Sequence, residues 1–165
     1  NEVTTDYNVS AEQIEWLNTV ALNLTDTDWG IIVLTHHPLN WYGMSGLLSA
    51  LNTYKGKRSG AELIAHFHGH LHNFRAETLG TNNIPTITIP NACFGRNNEY
   101  GTASSYSDEI KATYGDTDES GKQRVFAKTA DTAEDTAFNV VVIDRQDRKI
   151  HCFNYGAGID REISY

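Results

Sequence analysis

Positive charge is scarce in this sequence: 13 Lys and Arg stand against 21 Asp and Glu, a formal net charge of −8. The basic residues are dispersed rather than banded, so there is no electrostatic footprint for a nucleic-acid scaffold role. A small phosphate-bearing substrate stays open, because bound divalent cations would supply the positive charge that the protein lacks. Long apolar runs are also absent, and nothing approaches the roughly 20 residues of a membrane-crossing helix. Cysteine is nearly absent. Cys93 and Cys152 lie far apart, with neither CxxC spacing nor flanking histidines, and read as reduced, buried thiols, although a single disulfide stays compatible with the sequence. The acidic residues between Asp108 and Glu134 show no DxDxDG spacing, which argues against a calcium loop. The opening Asn1-Glu2-Val3-Thr4 has no initiator Met, basic region or apolar region, so no targeting peptide is expected and the compartment is left open.

What is present is an ordinary globular composition, 39% hydrophobic and 21% charged, in a 165-residue chain that fits one domain or part of a larger one. Ser10 followed by Gln13 forms a capping-box signature, and Ile14, Leu17, Ala21 and Leu24 recur at helical spacing, predicting a helix from Ala11 to Leu24. After Gly30, the run Ile31-Ile32-Val33-Leu34 predicts a strand buried on both faces. Pro38 then turns the chain into a loop. A short helix over Met44 to Tyr54, strands over Ala61 to His66, Ala76 to Leu79 and Thr86 to Ile89, and a helical segment over Ser107 to Tyr114 follow. The Asn/Gly/Ser-rich stretch from Asn91 to Ala133 reads mostly as surface loop. Phe138 to Ile143 and Lys149 to Tyr155, separated by five polar residues, predict a β-hairpin. The order of elements points to a mixed α+β fold rather than a doubly wound parallel sheet.

Six of the seven histidines fall between His36 and His72, in Thr35-His36-His37-Pro38 and in His66-Phe67-His68-Gly69-His70-Leu71-His72. Histidine is the commonest metal ligand, so a metal centre is the first expectation. Gly69 should end the strand carrying His66 and His68, leaving His70 and His72 on a turn where their rings diverge toward two ions. His37, adjacent to His36, is expected to point elsewhere, and His151 in the hairpin to be structural. Arg75 reads as an exposed, salt-bridging residue.

Gly69-His70-Leu71-His72 resembles the GHxH motif of calcineurin-like metallophosphoesterases. Thr35-His36-His37-Pro38 is similar to the single-histidine motif that precedes it. The helix containing Glu12-Gln13 and Trp16-Leu17 resembles the family's approach to that histidine, and Tyr155-Gly156-Ala157-Gly158-Ile159-Asp160-Arg161 resembles a segment of bacterial and phage members. The resemblance implies a four-layer α/β/β/α sandwich with mixed β-sheets and a phosphomonoesterase or phosphodiesterase activity at a dinuclear centre of Mn, Fe or Zn. It also implies His36 and His70 as ligands of one metal and His72 as a ligand of the other; His37 and His68 are read from their positions beside these residues as lying behind the ligands or facing substrate, and His66 as supporting its strand. Two cations together polarise a phosphoryl group and activate water near neutral pH.

The family's Asp-x-His, Gly-Asp and Gly-Asn-His motifs are not found before His36. The expectation is therefore the C-terminal portion of such a domain over residues 1 to 165, with an incomplete site, no activity alone, and either dimerisation or association with an N-terminal half. A metallo-β-lactamase reading requires Asp where Leu71 stands. The alternative from another class is a non-catalytic binding or virion-associated structural module on a degenerate phosphoesterase scaffold, using residues such as Tyr100, Tyr106 and Tyr114 for contact.

Overall fold

The computed structural model describes residues 8–71, 75–90, 108–117, 121, 123–126, 131–133 and 136–165, and is an α+β protein. It divides into two compact units, residues 1–68 with 77–86, and residues 69–76 with 87–165. Cys93, Tyr100, Tyr106 and His72 lie outside the described residues.

The first unit starts with helix α1, Ala11–Trp16, opened by the expected capping box: Gln13 N donates to Ser10 Oγ at 3.1 Å, and Ser10 N to Gln13 Oε1 at 2.9 Å. The predicted continuation to Leu24 is corrected. Leu17–Ala21 widens into a π-helical turn, with Leu22 N donating to Leu17 O at 2.7 Å. Thr19 Oγ1 donates to Glu15 O at 2.8 Å, and such side-chain competition for a helical carbonyl loosens the ladder.

Strand β1, Gly30–Thr35, pairs in parallel with β2, Glu62–His68. With β3, Ala76–Leu79, and β4, Ile84–Thr88, they form a sheet of order β1-β2-β4-β3. The expectation that β1 is buried on both faces is corrected. Ile31, Val33 and Thr35 are half-buried, whereas Ile32 and Leu34 are exposed, Leu34 at 73%. Successive side chains point to opposite faces; Ile31 and Val33 pack against the core of the first unit, while the face carrying Ile32 and Leu34 is left open.

Helix α2, Ser45–Lys57, runs three residues beyond its expected end and buries Leu47, Ala50, Leu51 and Tyr54. They form the core with Leu22, Leu39, Met44, Leu63 and Ile84. Arg58 closes the helix at φ 50°, and Gly60 follows at φ 79°, where an added Cβ would stand 2.0 Å from Leu24 O. Tyr54 Oη donates to Ala61 O at 2.6 Å, tying α2 to the start of β2.

The second unit holds α3, Asp108–Tyr114, a small hairpin of β5, Gly115–Thr117, and β6, Gln123–Val125, and an antiparallel sheet. That sheet joins β7, Ala137–Asp144, to β8, Lys149–Gly156, as the sequence predicts, and adds an unanticipated β9, Arg161–Ser164. Asp144 Oδ1 accepts from Gln146 N and Asp147 N, both at 2.9 Å, and shapes the hairpin turn.

Candidate metal centre

In the parallel register Thr35 stands opposite His68, so the two histidine motifs leave β1 and β2 at the same end of the sheet. Adjacent strands are about 4.8 Å apart. Past β1, Thr35 Oγ1 donates to His37 O at 2.6 Å and closes a three-residue corner with His36 at its tip. His36 is exposed and His37 half-buried. Pro38 and Leu39 are buried behind them, and Trp41 N donates to Pro38 O at 3.0 Å, continuing the turn.

His37 does not point away from His36, as expected of neighbours in an extended strand. The rings meet edge to face with centroids 4.9 Å apart, and the corner is what turns both to one side. His37 also stacks against Trp41 at 6.1 Å. Burial, and then the neighbouring His36, hold the pKa of His37 below its ordinary value, favouring the neutral form that ligates metals.

His66 and His68 belong to β2 and are fully buried, stacked at 5.3 Å with an interplanar angle of 17°. His66 Nε2 lies 2.7 Å from Thr35 Oγ1, while its Nδ1 is buried with no hydrogen-bond partner. Burial and then His68 push the pKa of His66 down to about 3. Both rings lie in the interior of the first unit and form part of its packing.

Strand β2 ends at His68, and Gly69 opens a turn in the second unit. Leu71 N donates to Gly69 O at 2.7 Å across His70, whose φ is 63°. A three-residue turn with positive φ at a non-glycine centre is rare and strained, and such strain concentrates at functional sites. His70 is two residues past His68, so chain connectivity alone keeps its Cα within about 7 Å of the end of β2.

His151, in β8, places Nδ1 at 3.6 Å from Glu162 Oε2 and stacks on Phe153, consistent with a structural role. Arg75 is exposed, and its carbonyl accepts from Thr88 N at 2.8 Å. Cys152 is a free, buried thiol whose pKa burial raises.

The donor set is made of imidazoles. Neutral imidazole suits borderline ions such as Zn, Fe or Mn. No aspartate, glutamate or cysteine among the described residues joins these histidines in a group spaced to ligate an ion. The corner thus presents the imidazoles of His36 and His37 side by side as potential donors to a cation. No protein-family model, curated protein or solved structure matches this chain.

Proposed function

We propose that this chain is the C-terminal portion of a calcineurin-like metallophosphoesterase domain, a four-layer sandwich in its complete form, whose parent hydrolyses a phosphomonoester or phosphodiester. The observation that carries this reading is the Thr35 to His68 register, which releases two histidine motifs from adjacent strand ends. His36 and His70 serve as ligands, His37 as a third imidazole donor, and His72 as the ligand toward a second ion. When bound, the cation supplies Lewis-acid polarisation of a phosphoryl oxygen. His36 and His37 bring their rings together at the corner, and the indole of Trp41 stacks on one side of His37.

Since no carboxylate joins the histidines among the described residues, the isolated chain takes up one ion and turns over negligibly. Titration with Co(II), followed by visible absorption and paired with a chromogenic phosphodiester assay in Mn(II), tests both parts. Binding near one equivalent that is lost in His36→Ala and His70→Ala supports the centre, and robust turnover overturns its incompleteness. Absence of binding favours the rival module on a degenerate scaffold.

For partners, the reading is self-association through the open face of the β7-β8-β9 sheet. Phe138 opposes Tyr155 and Val140 opposes Phe153, and these four with Val142 are 45–55% exposed on one face. The opposite face buries Ala137, Ile150 and Cys152. The exposed patch is on the order of 450 Å², and a two-fold contact that doubles it and adds its rim approaches a standard interface.

A further inference from the structure

We propose that Thr35 and His66 are positioning residues that hold the His36–His37 corner in its ligating shape, an inference that rests on the metal-centre reading above. A hydroxyl has one hydrogen, and that of Thr35 is given to His37 O at 2.6 Å. His66 Nε2, 2.7 Å from the same oxygen, must then be the donor, which fixes the Nε2–H tautomer and leaves the Nδ1 lone pair as the buried atom without a partner. The chain of bonds runs from β2 through the last residue of β1 to the backbone of the corner. His66 reaches Thr35 diagonally, because its own register partner is Val33.

The unpartnered nitrogen is what makes this arrangement informative. His66 sits among Leu63, Ile64, Ala65 and Phe67 in a strand where an apolar side chain leaves nothing unsatisfied. An imidazole there carries a cost, and the bond to Thr35 is the interaction that a leucine cannot make. Without it the Thr35 hydroxyl is free to rotate away from His37 O, and the corner that sets His36 beside His37 loses its tie to the core. Groups that orient metal ligands at one remove typically change affinity 10- to 100-fold when removed.

The test is Co(II) affinity of the full chain in matched pairs, at a temperature where circular dichroism shows every variant folded. Thr35→Val and His66→Leu are expected to weaken binding 10- to 100-fold, whereas Thr35→Ser and His66→Gln, which keep the hydroxyl and an N–H donor, stay within about threefold of wild type. A merely structural role would lower the melting temperature without separating the pairs in affinity. Wild-type affinity in Thr35→Val overturns the positioning role while leaving the metal centre standing. A wild-type chain that takes up no Co(II) removes the metal centre and this role with it. Nitrogen chemical shifts of His66 give a second measure free of mutation: the Nε2–H tautomer is expected, and Nδ1–H overturns the proposal.

Discussion

His66 and His70 are costly residues where they stand, in different ways. The pKa of His66 is depressed from 6.5 to about 3 by burial and His68, so the unfolded chain takes its proton below about 6.5 and the folded chain only near 3. The unfolded state binds more protons within that window, so stability rises with pH across it and is lost as pH falls through it. The effect is at most on the order of 5 kcal/mol. Urea unfolding at pH 7, 5.5 and 4 should show a steeper loss for wild type than for His66→Gln; equal slopes refute the assignment. His70 carries its cost in the backbone, at φ 63°. Glycine accepts that conformation freely, so His70→Gly is expected to be more stable than His70→Ala by about 1 kcal/mol in metal-free denaturation. The reverse order would mean that the turn is unstrained.

Among elements, local chemistry was legible where it is self-contained and misleading where neighbours intervene. Ser10 and Gln13 form their capping box within three residues, so the start of α1 is written in the sequence. Its end is not, because Leu22 N reaches back five residues to Leu17 O in a π turn that apolar spacing does not report. Strand β9 has one apolar residue, Ile163, and exists because β8 offers it a paired edge. The junction between α2 and β2 depends on Gly60, whose φ of 79° and missing Cβ both matter, the latter because Leu24 O would lie 2.0 Å away. Gly121 has a similar φ of 82°, but among the described residues nothing lies within 4 Å of where its Cβ would stand. Thermal unfolding should show a cost of about 1 kcal/mol for Gly121→Ala and a clearly larger one, about 2 kcal/mol or more, for Gly60→Ala. Equal costs would show that the Leu24 carbonyl yields easily.

For the whole molecule, the exposed strand faces are the chief prediction. Ile32 and Leu34 on β1, and the aromatic and aliphatic row on β7 and β8, leave apolar surface of the kind that marks interaction sites. Light scattering at tens of micromolar is expected to report a dimer, and Val140→Glu, in the middle of the β7 row, to shift it to monomer without loss of secondary structure. A monodisperse wild-type monomer counts against self-association, and a Val140→Glu dimer moves the interface elsewhere.

Amino-acid order alone determined the α+β character, the helix start at Ala11, the hairpin of β7 and β8, and the end of β2 at Gly69, because caps, turns and period-two patterns act within a few residues. It also marked His36 and His70 as the residues to examine. Only the tertiary structure decided that His37 turns beside His36, that His66 Nε2 meets the Thr35 hydroxyl while its other nitrogen is left unpaired, and that one face of β1 stays open. Those outcomes depend on which strands become neighbours and in what register, and a parallel pair joined through α2 sets that across thirty residues of intervening chain.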